Sequence, residues 1–146
     1  MKSSASAVWE GGLKDGKGKI TVATAAFADM PYTFAKRFEG TGSGTTPEEL
    51  IAAAHASCFA MATSGELNKA GFTPTRLFVT ATVTLEPVDG KPTVSSSELK
   101  LEGVVPGIDD AKFQELAGNA KAGCPISRLL KTNITLTAKL SSEVLR

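Results

Sequence analysis

From Thr46 to Ala70 the chain carries one uninterrupted helix signal whose middle, Leu50 to Ala62, is apolar or small at almost every position. A surface helix shows a single apolar stripe, so a helix with no polar face is predicted to be buried rather than laid on a surface. Its start is marked by Thr46 as N-cap, Pro47 at the first helical position and Glu49 three residues after the cap, the capping-box arrangement. Gly71 and Pro74 stop it near Ala70. Gly65 weakens the interior by roughly 1 kcal/mol relative to Ala, so the second half is expected to bend or fray. A chain of 146 residues has room to wrap one domain, residues 1 to 146, around such a helix.

The segments on either side supply the wrapping. Glycine turns at Gly11-Gly12, Asp15-Gly16 and Gly18 separate short apolar runs, which predicts strands over Val8 to Glu10, Lys19 to Thr24 and Tyr32 to Phe38. In the third of these, period-two alternation would put Tyr32, Phe34, Lys36 and Phe38 on one face and Arg37 with Thr33 and Ala35 on the other. After the helix, Arg76 to Glu86 and Thr93 to Val104 read as a hairpin turned by Pro87-Val88-Asp89-Gly90. Leu77, Val79, Ala81, Val83 and Leu85 alternate with Phe78 and threonines, so one face belongs to a core. A second helix begins near Asp109, carries Phe113, Leu116, Ala117 and Ala120 at helical spacing and ends at Gly123. Cys124-Pro125 opens a third, short helix through Leu130, and Asn133 to Leu140 is the last strand. The order is three strands, a helix, two strands, two helices and a strand, an α+β domain with mostly antiparallel pairing.

Composition removes several partners. A net charge of +1 leaves no electrostatic footprint for nucleic acid or for an anionic membrane surface. No apolar run approaches the roughly 18 residues of a membrane span, and the first residues lack a signal-peptide core, which makes the cytoplasm the expected location. In a reducing compartment two cysteines point to transient, catalytic or metal-binding chemistry more than to a permanent staple.

Those cysteines, Cys58 and Cys124, have different settings. Cys124 occupies the cap position before Pro125, where unpaired amide hydrogens and the helix dipole favour a thiolate; a packed, inert cysteine beside a helix start is the alternative. Cys58 lies mid-helix among Ala54, Ala56, Phe59, Ala60 and Met61, where burial raises a thiol pKa. It becomes a nucleophile only if a cation reaches it. Arg37, the one arginine in the first half of the chain, is the candidate, with Lys36 read as facing solvent.

An arginine drawn into an apolar site needs a carboxylate to hold it. Glu49 is occupied by the capping box and lies about 180° round the helix from Cys58, whereas Glu48 lies about 80° away, which favours Glu48. A solvated first-turn charge is the other reading of Glu48. Ten residues of helix put Glu48 roughly 15 Å along the axis from Cys58. An antiparallel helix from a two-fold partner would close that gap and predicts a homodimer with a shared site; a bent Arg37 strand within one chain is the alternative. A thiolate beside a guanidinium, with a second thiol in reach, suits attack on an O–O bond and resolution of the sulfenic acid as a disulfide. Phe34, Phe38 and Phe59 favour an organic peroxide, and core packing accounts for them equally well.

Trp9-Glu10-Gly11, Arg37-Phe38-Glu39-Gly40, Gly44-Thr45-Thr46-Pro47-Glu48-Glu49-Leu50-Ile51, Ala52-Ala53-Ala54-His55-Ala56-Ser57-Cys58-Phe59 and Ala120-Lys121-Ala122-Gly123-Cys124-Pro125-Ile126-Ser127 together resemble the OsmC/Ohr family of peroxidases, over nearly the whole chain. The His-Ala-Ser-Cys-Phe and Lys-Ala-Gly-Cys-Pro stretches look more like the osmotically inducible branch than the organic hydroperoxide resistance branch. The resemblance implies an OsmC-like α+β fold, antiparallel sheets around a long buried helix with a second helix beside it, in an intertwined homodimer with sites at the interface. It implies a peroxidase without metal or cofactor, in which Cys58 is the peroxidatic cysteine, Cys124 the resolving cysteine, Arg37 the activating cation and Glu48 its orienting partner. The implied partners are an organic hydroperoxide and a dithiol reductant, a dihydrolipoyl protein being the favoured donor.

Two readings compete. Cys58, Cys124 and His55 could supply zinc ligands, although closed zinc sites show tighter spacing, and a lone helical histidine is usually a hydrogen-bonded core residue. From another class, the chain could be a non-enzymatic dimeric protein carrying a small apolar ligand near Phe34 and Phe59.

Overall fold

The computed structural model describes residues 1–142. The chain divides into two compact units, Met1–Leu50 and the part from Ile51 onward. In the first unit, β1 (Ala5–Glu10), β2 (Lys17–Val22) and β3 (Met30–Tyr32) form an antiparallel sheet in that order. Trp9 and Tyr32, both on this sheet, stack with ring centroids 5.4 Å apart.

The expected third strand over Tyr32 to Phe38 is not formed. The strand stops at Tyr32, and Ala35–Glu39 is a π-helical turn. Thr33 nucleates it twice: its hydroxyl accepts from the Lys36 amide at 3.1 Å, and its carbonyl from the Arg37 amide at 3.1 Å. Helical winding brings Phe34 and Phe38, four residues apart, to a centroid distance of 4.8 Å. The two-face alternation expected of this segment therefore does not apply to Arg37. Gly40 closes the turn through its amide to the Ala35 carbonyl.

The long helix, α1 (Pro47–Lys69), starts and stops where its caps predict. Thr46 Oγ1 accepts from the Glu49 amide at 3.0 Å, the N-cap half of the capping box. The Glu49 carboxylate accepts from the Thr45 hydroxyl at 2.6 Å. At the far end the Phe72 and Gly71 amides return to the Leu67 and Asn68 carbonyls, the paired bonds of a Schellman motif. The helix runs unbroken through Gly65, so the expected fraying does not occur. Burial on all sides also fails in the single chain. His55, Phe59, Thr63 and Leu67 form a fully buried stripe at four-residue spacing, while Ala53, Ala54, Ser57 and Met61 stay exposed, Met61 at 78%.

The second unit is built on the sheet β4 (Arg76–Val88), β5 (Lys91–Val104) and β6 (Asn133–Leu140), in that order. Asp89 and Gly90 turn the β4–β5 hairpin at φ 50° and 75°, the two successive left-handed residues that a tight two-residue turn needs to match strand twist. β6 runs parallel to β5, the one departure from antiparallel pairing, because two helices intervene and carry the chain back to the same end of the sheet. Those helices are α2 (Asp110–Gly123), capped by the Asp109 carboxylate accepting from the Lys112 amide, and α3 (Pro125–Leu129). Leu99 and Leu101 of β5, Phe113, Leu116, Ala117 and Ala120 of α2, Phe59 and Leu67 of α1, and Cys124 form the core. Leu77, Val79 and Ala81 of β4 and Ile134, Leu136 and Ala138 of β6 pack against it, as period-two alternation requires. Among the described residues no helix is long and apolar enough to cross a membrane.

Candidate active site

Each unit gathers one pair of the residues that the sequence singles out. In the first, the π-helical turn presents Arg37 to Glu48 in the first turn of α1. Arg37 Nε donates to both carboxylate oxygens at 3.1 and 3.2 Å, and Nη2 donates to Oε1 at 2.6 Å. Both atoms on one edge of the guanidinium are thus engaged, which fixes its plane as well as its position. The carboxylate is the sheltered member, its side chain 10% exposed against 37% for Arg37, so an edge of the cation remains open. The guanidinium carbon also sits 5.2 Å from the centre of the Phe38 ring. Glu48 is thus the carboxylate paired with Arg37, while Glu49 bonds Thr45.

Beside the cation lies a cavity of about 240 Å³ lined by Trp9, Leu13, Tyr32, Phe34, Arg37 and Phe38 with Thr33 and Pro47. Its wall is aromatic and aliphatic apart from that one charge. Phe34 and Phe38 were candidates for such a role. Trp9, Leu13 and Tyr32 were not, because they come from a strand, a loop and another strand with no common periodicity.

In the second unit the two cysteines, 66 positions apart in the chain, come side by side, both as free thiols. Cys58 is partly buried on α1, and Cys124 is fully buried between α2 and α3. They are near neighbours, each shifting the other's ionisation. Burial pushes the Cys58 thiol up and its neighbour Cys124 adds to this, with the Ile126 amide opposing. Burial acts on Cys124 too, and is the largest single influence there, yet the Ser127 amide, the Cys58 S–H, the Ser127 hydroxyl and the Ile126 amide together outweigh it and bring Cys124 down. Cys124 closes no N-cap hydrogen bond onto α3, so the expected capping by its sulfur is not formed, and the amides of that first turn act on it as nearby dipoles. Within this unit, then, burial disfavours the Cys58 thiolate, and the donors of α3 ease ionisation of Cys124.

His55, one turn before Cys58 on α1, is fully buried. Its Nδ1 lies 2.7 Å from Ser97 Oγ on β5 and its Nε2 2.8 Å from Ser127 Oγ on α3. Burial holds the imidazole below its ordinary pKa and therefore neutral, one ring nitrogen donating and the other accepting. With both nitrogens engaged by serines, His55 has no free lone pair for a metal, and the zinc reading loses its third ligand. Ser97 and Ser127 carried no role in the sequence. The spacing Cys124-Pro125-Ile126-Ser127, cap to third helical position, was the available signal for Ser127.

Comparison with known proteins gives a consistent result. A family model described as OsmC-like protein matches residues 40–139. Peroxiredoxin OsmC of Escherichia coli (strain K12) is 49% identical over 134 residues, covering 92% of this chain and 93% of that protein. The organic hydroperoxide resistance protein of Xanthomonas axonopodis pv. citri is 32% identical over 105 residues, 68% of this chain and 69% of its own length. Among solved structures, the organic hydroperoxide resistance protein OhrB of Bacillus subtilis superposes with a TM-score of 0.72 at 24% identity, over 94% of this chain and 98% of that one. An OsmC like protein from Mycoplasma pneumoniae gives 0.74 at 18%, over 96% and 97%. These two share the α+β fold described above.

Proposed function

Because the chain belongs to the OsmC-like protein family, within which it is closer to the curated OsmC peroxiredoxin than to the hydroperoxide resistance proteins, we propose a catalytic cycle for it as a thiol peroxidase acting on organic hydroperoxides. The Cys58 thiolate attacks the outer oxygen of R–O–O–H. The O–O bond breaks, the sulfur becomes a sulfenic acid, and the alkoxide R–O⁻ leaves and takes a proton as the alcohol. Cys124 then attacks the Cys58 sulfenic sulfur, forming the disulfide with loss of water. A dithiol donor, a dihydrolipoyl protein in this reading, returns both sulfurs to thiols.

The single observation that carries the cycle is the adjacency of two unbridged sulfurs in an otherwise apolar core. It also sets a requirement. Burial raises the Cys58 thiol, so a cation that favours its thiolate would help the first step. Arg37 is assigned that role, with Glu48 holding its plane, and its open edge is available to the leaving alkoxide as charge grows there. The apolar cavity beside Arg37 suits the organic part of the substrate. A homodimer accords with the exposed small-residue face of α1, where a second copy would cover Ala53, Ala54, Ser57 and Met61. A reducing cytoplasm is where such a thiol cycle can be reset.

The test is a stoichiometric reaction with cumene hydroperoxide followed by mass analysis. The native protein should lose two thiols and gain a Cys58–Cys124 bridge that dihydrolipoate reverses. Cys124→Ser should reduce one equivalent and stall with Cys58 oxidised. Survival of both thiols in excess hydroperoxide would reject the cycle.

A further inference from the structure

The cycle above uses both sulfurs and Arg37, and leaves unexplained a line of polar groups, Ser97 and His55 buried and Ser127 partly so, that leads into the helical turn opened by Cys124. Ser97 Oγ, His55 and Ser127 Oγ are linked at 2.7 and 2.8 Å, and Ser127 stands at the third position of α3, one turn after Cys124 at its cap. Three elements distant in sequence, β5, α1 and α3, meet there. A buried polar chain costs desolvation unless every member is satisfied, and apolar residues would fill the same space without that cost. Packing alone does not call for it.

Resting on the proposed cycle, we infer that Ser127 and His55 are positioning residues for its second half. The imidazole fixes the Ser127 hydroxyl toward Cys124, and the two carry the proton that Cys124 sheds as it attacks the sulfenic acid. The balance is complete without an outside reagent. Cys124–S–H gives its proton to Ser127 Oγ as Ser127 passes its own to His55 Nε2. The Cys124 electron pair forms the S–S bond, the Cys58 S–O bond breaks with its pair going to oxygen, and the departing hydroxide takes the proton as water. A histidine held neutral by burial suits this brief custody, because it gives the proton up readily. Once Cys124 is ionised, the same groups can hold the thiolate, with Nε2–H donating to Ser127 Oγ and Ser127 O–H donating to sulfur. Shifting hydrogens along the chain of acceptors moves the proton without moving α3.

Two measurements judge this separately from the cycle. In single turnover with cumene hydroperoxide, Ser127→Ala should lower the ratio of disulfide formation to Cys58 oxidation about tenfold, with sulfenic acid trapped by dimedone, and Ser127→Thr should restore it. Without any peroxide, thiolate absorbance near 240 nm in a Cys58→Ser background, less the Cys58→Ser/Cys124→Ser spectrum, should titrate at higher pH with Ser127→Ala and return with Ser127→Thr. His55→Gln should move the titration in the same direction as Ser127→Ala. An unshifted titration and an unchanged ratio in Ser127→Ala would overturn the inference, as would Ser127→Thr behaving like Ser127→Ala. If no variant's Cys58 is ever oxidised, the cycle fails while the titration still decides the role of Ser127 and His55.

Discussion

The two units hold charge in opposite ways. In the first, a full cation is fixed by a full anion, Arg37 by Glu48, at the edge of a cavity where the guanidinium still meets solvent. In the second, ionisation of a sulfur inside an apolar core is eased without an opposing full charge, by amide and hydroxyl groups of α3 and by a neighbouring thiol. The difference follows from solvation. An ion pair at a partly wet site needs little desolvation, and bidentate geometry makes it a rigid tool. A buried anion must be held by oriented dipoles that already have their place in the fold. For the chemistry, burial raises Cys58, the sulfur proposed to attack peroxide, and the proposed cycle calls on Arg37 to offset that.

Five measurements would break or sharpen that contrast. The largest effect is expected at the reacting sulfur itself, where Cys58→Ser should abolish hydroperoxide turnover in a coupled assay with a dithiol donor; residual turnover would transfer the first step to Cys124. Removing the cation should come next. Arg37→Ala is expected to lower kcat/KM about 10²-fold, the cost of losing one preorganised charge at a growing anion. Glu48→Gln, which keeps the shape and loses the charge, should cost roughly tenfold through a poorly held guanidinium. Equal rates in parent and Arg37→Ala would mean that the cation of the first unit has no part in the chemistry.

Stability should separate the units further. A Cβ placed on Gly103 would stand 2.6 Å from Phe113 Cζ and 2.8 Å from Cε2, so Gly103→Ala overpacks the core of the second unit. It should destabilise the protein by about 1–3 kcal/mol in urea unfolding. The smallest effect is a pH dependence of His55. Burial depresses its folded pKa below the ordinary 6.5, so on acidification the unfolded chain takes the proton first. Its contribution is present in full above that value and is lost as pH falls below it, by no more than about 1.4 kcal/mol per pH unit. Urea midpoints compared between about pH 7.5 and pH 5.5 should drop more in the parent than in His55→Gln.

Much of the architecture is legible in the chain because it rests on local rules. The caps of α1 and α2, the Asp89-Gly90 turn and the alternation in β6 each depend on residues within a few positions of one another. The pairing of Arg37 with Glu48 was accessible for the same reason, since one helical face and an expected capping box set Glu49 aside, although the Glu49 carboxylate in fact bonds the Thr45 hydroxyl and leaves the box half formed. The segment from Thr33 to Glu39 misled because aromatic alternation satisfies a strand, while the Thr33 hydroxyl and a phenylalanine pair four residues apart satisfy a helical turn. Both patterns were present, and the hydrogen bonds of Thr33 favour the turn.

The amino-acid order by itself determined where helices begin and end, which faces of the strands are apolar, and that two cysteines stand in chemically unequal places. Only the tertiary structure decided that β6 lies parallel to β5, that Trp9, Leu13 and Tyr32 share a cavity with Arg37, and that Ser97, His55 and Ser127 join into one line. It also decided the direction in which each thiol is displaced from its ordinary pKa. Capping and periodicity act between near neighbours in the chain, whereas a pKa depends on every dipole within a few ångströms, and those dipoles come from residues that folding alone brings together.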